Sequence, residues 1–170
     1  RRAHHALEHE RELGPHLGLL ARREHVDDAV DRLRRRVRVQ GGEGKVAGLD
    51  LESGLGVIKL EGPGPWPAAS LGDSTRMAVG DITGTVGMDE DGALIATPGT
   101  VKSIRGFAAS WEYMLDRALF VAPYNSAFGG AALVDQTGAV VGITSLRLGE
   151  ATYVNMAIPI EQFLGDREEL

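Results

Sequence analysis

From Lys45 onward, apolar and polar positions alternate in short runs broken by turn residues, the pattern of half-buried strands. Lys45–Leu51 and Leu55–Leu60 predict two strands with a turn between them. Glu61–Pro67 (EGPGPWP) carries three prolines and two glycines, so no ladder can run through it, and a linker is expected. Strands follow at Asp81–Gly87, Ala93–Thr97, Thr100–Ile104 and Ala118–Val121, the first two joined by a turn at 89–92 (DEDG). Ala131–Val134, a turn at 135–138 (DQTG) and Ala139–Ser145 form a hairpin. Thr152–Ile160 is the last expected strand, and Glu161–Leu164 begins a short helix. Closely spaced strands with turn signals between them predict an all-β barrel or sandwich.

The first part of the chain has a different texture. Residues 1–44 use ten amino acid types: Arg, Ala, His, Leu, Glu, Gly, Pro, Val, Asp and a single Gln40. All five histidines (His4, His5, His9, His16, His25) and ten of the fifteen arginines lie here. These ten types are the ones whose codons can begin with C or G. A frame whose first codon position falls on the G- or C-filled wobble position of a GC-rich gene would give this alphabet. Two readings follow: an out-of-frame or misannotated translation, or a genuine Arg- and His-rich extension. As an extension it has helical character, with Val26, Val30, Leu33 and Val37 forming one stripe between Glu24 and Arg38. Arg32 with Arg34–Arg36 is a basic cluster, diluted by Asp27, Asp28 and Asp31.

Composition narrows the class further. The 170 residues suit about one domain, and a net charge of −6 argues against nucleic acid as the main partner. No cysteine is present, which excludes a disulfide framework and a Cys nucleophile. No apolar run reaches the length of a membrane span, and no signal-peptide core opens the sequence. No cofactor motif is found. His5 and His9, with His4 nearby, have the i, i+4 spacing of a helical metal clamp but lack a third ligand, so no metal is expected. Asp89–Asp91 reads as an acidic hairpin tip, and Trp111 and Tyr113 as aromatics packed over a barrel end.

Particular residues carry a family resemblance. Asp50–Lys59 (DLESGLGVIK) resembles the Asp-x-x-Thr-Asp-Leu-Ala-Val-Ile-Lys stretch of HtrA/Deg-type trypsin-like serine proteases. Ala68–Ser74 and Val79–Asp81 are similar to the entry into that family's second barrel, and Thr97–Ile104 to its Gly-x-Val-Ser strand. Gly129–Val134 (GGAALV) stands where the family has its Gly-Asn-Ser-Gly-Gly-Pro-Leu-Val nucleophile loop. Gly138–Ile143 and Ala157–Ile160 resemble its closing hairpin and final strand. The resemblance covers about Val37–Leu164. It implies two six-stranded barrels, of which this chain would hold a near-complete second one and a fragment of the first. The expected divisions are an atypical helical or disordered segment 1–38, a first-barrel remnant 39–60, a linker 61–69, and the second barrel with the start of a C-terminal helix over 70–170. The family's Thr-Asn-x-His-Val base motif has no counterpart in this reading.

The resemblance also implies what the chemistry lacks. Gly54 takes the position of the orienting carboxylate and Gly129 that of the nucleophile. Peptide hydrolysis by this route needs a hydroxyl, a base and a carboxylate in sequence, with N–H donors for the oxyanion. Only an oxyanion-loop remnant, Ala127, Phe128, Gly129 and Gly130, is left. Ser126 is the alternative nucleophile under a shifted alignment. The family binds extended peptide by strand addition, here along Gly142, Ile143, Thr144, Ser145 and Leu146. Three functions are carried forward: an inactive peptide- or protein-binding module, an active endopeptidase with a misaligned or truncated triad, and an unstable fragment whose open strand edges invite self-association. A cell-envelope or periplasmic location is suggested by the family alone.

Overall fold

The computed structural model describes residues 36–39, 42–50, 52–109, 114–149 and 153–166. They fall into two compact units: one holds the described residues up to Ala47 together with Val57–Gly62, the other Gly48–Gly56 and everything from Pro63.

β1 (Arg36–Val39), β2 (Gly42–Asp50) and β3 (Leu55–Leu60) form a three-stranded sheet in that order. β1 pairs antiparallel with β2, Val37 opposite Gly44 and Val39 opposite Gly42. Arg36–Arg38 were expected at the end of a helix. They form a strand, because Arg36-Val37-Arg38-Val39 alternates with period two beside a ready partner. The rest of the expected helix lies outside the described residues. Between β2 and β3 the Asp50 carboxylate accepts from the N–H groups of Glu52 (3.0 Å) and Ser53 (2.9 Å), and Gly54 closes the turn at φ 77°.

The remaining strands close a six-stranded antiparallel barrel: β4 (Ile82–Met88), β5 (Leu94–Ala108), β6 (Met114–Ala122), β7 (Ala132–Val134), β8 (Val140–Leu148) and β9 (Val154–Pro159). Their order around it is β4-β5-β6-β9-β8-β7. A helix, α1 (Ile160–Asp166), follows β9 directly. The all-β expectation and the near-complete barrel are met. Val101, Leu119, Val121, Leu133, Val141 and Ala157 come from every strand except β4 and pack into one cluster that fills the barrel interior. Burying each larger side chain contributes about 1.5–3 kcal/mol. The alternate residues Leu115, Ala118, Phe120, Met156 and Ile158 build a second cluster with Leu55, flanked by Phe163 of α1.

Two strands expected to be separate, Ala93–Thr97 and Thr100–Ile104, are one 15-residue strand, β5. Pro98 does not break it. Pairing with β6 begins only at Thr100, so at Pro98 the strand has one neighbour, β4, and Pro98 lies opposite Gly84. Gly99 is needed there because a Cβ would stand 2.7 Å from the Ala122 carbonyl oxygen.

Candidate functional site

The loop from Pro123 to Ala131 joins β6 to β7 and carries the positions singled out in the sequence. Asn125 ties it to the barrel. Its side chain is 1% exposed, and its Nδ2 donates to the carbonyls of Thr85 (3.0 Å) and Ile95 (3.3 Å). Its Oδ1 accepts from the Ala127 N–H at 2.8 Å, and its own N–H donates to Asn155 Oδ1 at 2.7 Å. Gly87 of β4 lets the loop come down: a Cβ there would lie 2.1 Å from the Ala127 carbonyl oxygen. At the far end Gly130, at φ 76°, donates its N–H to the Thr144 carbonyl (2.9 Å), and Thr144 Oγ1 donates to the carbonyls of Phe128 and Ala131.

Gly129 therefore sits on a well-fastened loop, exposed, with no heavy atom beyond its chain neighbours within 4 Å of where a Cβ would stand. Nothing at that point can attack a carbonyl. Two of the four N–H groups in the oxyanion-loop remnant, those of Ala127 and Gly130, already donate within the protein. Ser126 is exposed on the same loop. No histidine is among the described residues; His4, His5, His9, His16 and His25 all lie outside them, as do Trp111 and Tyr113. Among the described residues no group of three His, Asp or Glu could hold a metal, and no helix is long and apolar enough to cross a membrane.

Gly54 occupies a left-handed backbone position that side chains avoid, its N–H donating to the Asp50 carbonyl at 2.9 Å. Asp50, four residues before Gly54, caps this turn. Burial pushes its carboxyl up, but hydrogen bonds from Ser53 and Glu52 outweigh that and hold it below its ordinary 3.8.

The strand edge is shorter than the Gly142–Leu146 expected. Gly142 lies between Leu133 and Pro159, and Ile143 between Ala132 and Ile158. Thr144 exchanges backbone bonds with Ala131 and Gly130. Ser145 forms a bulge against β9, and among the described residues no strand lies beside Ser145–Leu148 on the β7 side. Gly142, Ile143 and Thr144 are interior to the sheet; Ser145 and Leu146 remain of the expected edge, extended by Arg147 and Leu148.

Three features escaped the sequence reading. The Asn125–Asn155 anchor and the Gly87 contact join residues far apart in the chain. The third is an aromatic cluster beside the open edge. Arg147 stands 4.7 Å from the Tyr153 ring centroid and 5.8 Å from that of Tyr124, which also packs on Phe128 at 5.9 Å.

A closed six-stranded antiparallel barrel with a glycine-rich loop leading into its short fourth strand defines a trypsin-like domain. The chain belongs to the trypsin-like peptidase family, whose profile (trypsin-like peptidase domain) matches residues 3–143. It is related to the HtrA proteases. It is 32% identical over 128 residues to the putative serine protease HhoA of Synechocystis sp., a match covering 71% of this chain and 32% of that protein. The chain spans about a third of the length of the curated relatives it matches. Its fold is similar to that of the HtrA-type protease AlgW with decapeptide (TM-score 0.65, 24% identity, 75% of this chain and 40% of that one). It is also similar to Deg5 (TM-score 0.60, 30% identity, 73% of this chain and 58% of that one).

Proposed function

We propose that this trypsin-like domain does not hydrolyse peptides and instead binds extended polypeptide along the open part of β8. The observation that carries the first half is Gly129, which we read as the nucleophile position: it is exposed and has no side chain. Gly54 supports it, since a carboxylate cannot be carried from that backbone conformation without strain. Losing one member of the triad costs orders of magnitude in turnover, and the remaining members do not compensate.

The base stands differently. The family profile begins at residue 3, inside the Arg- and His-rich segment, and its span includes Arg23-Glu24-His25-Val26. That His-Val pair precedes β1 in the order the family's base motif requires. We read His25 as the base position and the segment as a genuine part of the domain, in place of an out-of-frame stretch. An imidazole without an acid behind it or a hydroxyl before it has no acyl-transfer role.

For the second half, the support is the pairing of β8, which among the described residues leaves Ser145–Leu148 with one neighbouring strand, and the decapeptide held by AlgW. A fluorescein-labelled decapeptide library of extended, uncharged sequences should bind without being cut. Ser145→Pro should abolish that binding, because proline removes the donor and blocks a neighbouring strand. Cleavage of the library, or binding indifferent to Ser145→Pro, contradicts this function.

A further inference from the structure

The apolar cluster inside the barrel takes no residue from β4. The buried positions of that strand are Thr83, Thr85 and Gly87, so one wall of the interior carries hydroxyls. Directly across the barrel stands β9, three places from β4 in either direction, with Asn155 and Ala157 turned inward. One residue joins the two walls: the Asn125 N–H donates to Asn155 Oδ1 at 2.7 Å, and its Nδ2 to the Thr85 carbonyl at 3.0 Å. That bond accounts for the Asn155 oxygen and leaves its amide nitrogen. Asn155 is 0% and Thr83 4% exposed, and neither Asn155 Nδ2 nor Thr83 Oγ1 has a hydrogen-bond partner among the described residues. Turning the Asn155 amide over does not help, because the Asn125 N–H can only donate and would then face an NH2 group.

Buried polar groups of folded proteins are met by the protein or by ordered water, and a site takes water where it offers two or more polar partners and room. The layer between β4 and β9 offers both. The next inward residue after Asn155 is Ala157, a single methyl where the rest of the cluster has valine and leucine. Thr83 lies opposite Gly99, which brings no side chain. The Ala122 carbonyl oxygen, 2.7 Å from where a Gly99 Cβ would stand, adds an acceptor beside the Thr83 hydroxyl. We infer that the barrel holds internal water between β4 and β9, one molecule accepting from Asn155 Nδ2 and reaching Thr83 Oγ1 directly or through a second. This water steadies the Asn155 amide, whose oxygen fixes Asn125, and so supports the start of the segment that carries Gly129. It does not depend on whether β8 binds peptide.

The test combines a high-resolution crystal structure of the full chain with water-selective NMR on the 15N-labelled protein. Water density is expected about 2.7–3.2 Å from Asn155 Nδ2. The Asn155 side-chain NH2 should show a cross-peak at the water frequency, of opposite sign in NOESY and ROESY, as a bound molecule gives and proton exchange does not. Thr83→Val, close in shape but without the hydroxyl, separates a wet layer from a dry one. In a wet layer it takes a partner from the water and should lower the Tm by about 2–4 °C; in a dry one it removes an unmet polar group and raises the Tm. Thr83→Ser keeps the hydroxyl and should keep the cross-peak. No density at Asn155 Nδ2, no bound-water cross-peak, or a raised Tm in Thr83→Val overturns the inference. So does a crystal structure in which a protein carbonyl or hydroxyl accepts from Asn155 Nδ2 in place of water.

Discussion

The near end of the loop that presents Gly129 is tied down by the buried Asn125 side chain, so replacing Asn125 by alanine tests how that end is fixed. The substitution removes the two donations from Nδ2 to Thr85 and Ile95 and the acceptance of the Ala127 N–H by Oδ1. It leaves the Asn125 backbone bond to Asn155 in place. One buried and two partly buried hydrogen bonds at about 0.5–1.5 kcal/mol each come to about 1.5–4.5 kcal/mol, and the groups left unpaired place the cost near the middle, about 3 kcal/mol. For a chain of this length that corresponds to a Tm drop of about 6–12 °C. Urea unfolding followed by far-ultraviolet circular dichroism, with an unchanged m-value, is the assay. Asn125→Asp is the matched control: it keeps the acceptor for Ala127 but sets a carboxylate against two carbonyls. Burial there raises the folded carboxyl's pKa above its unfolded value, so the control's penalty is present at neutral pH and shrinks as pH falls. An Asn125→Ala cost below about 1 kcal/mol would refute the anchor, because three such bonds contribute at least about 1.5 kcal/mol.

Other substitutions probe the neighbouring geometry. Gly87→Ala puts a methyl into the Ala127 carbonyl and should cost about 1–3 kcal/mol with chemical-shift changes concentrated in residues 125–130; a neutral effect contradicts the close approach. Gly129→Ser enters open space and should leave the Tm unchanged, whereas Gly54→Asp should cost about 1–2 kcal/mol for its left-handed backbone. The double variant should still fail to hydrolyse casein. The Asp50 carboxyl is lowered in the folded chain, so it stabilises above its unfolded pKa and that contribution disappears as pH falls through the folded value, below about 3.8. Asp50→Asn should flatten the acid-side decline of stability measured by urea midpoints from pH 5 downward, and an unchanged decline would count against the capped turn.

Much of the barrel is legible in the sequence because local signals and tertiary pairing agree. The hairpin of β7 and β8 turns at Gly138, φ 83°, with the Asp135 carboxylate accepting from Thr137 and Ala139, as a DQTG run between apolar segments suggests. The DEDG turn at Gly92 is built the same way around Asp89. Where the two levels disagree, the sequence misleads. Pro98-Gly99 looks like a break, but whether a proline interrupts a strand depends on which side has a neighbour, and that is a property of the closed barrel. Arg36–Val39 supports both a helical stripe and a strand, and the presence of β2 decides between them. The site divides likewise. The proposal that the nucleophile and acid positions are empty rests on two glycines, Gly129 and Gly54, that the sequence itself displays. The true extent of the open edge depends on where β7 begins, and the loop anchor depends on Asn125 meeting Asn155, thirty residues away.

Active-site labelling tests the central claim most directly. The full chain is incubated with a fluorophosphonate probe and with casein, and labelled residues are located by mass spectrometry. With a glycine at the nucleophile position, no serine is labelled and casein stays intact. Stoichiometric labelling of Ser126, with casein cleavage abolished in Ser126→Ala, would contradict the account.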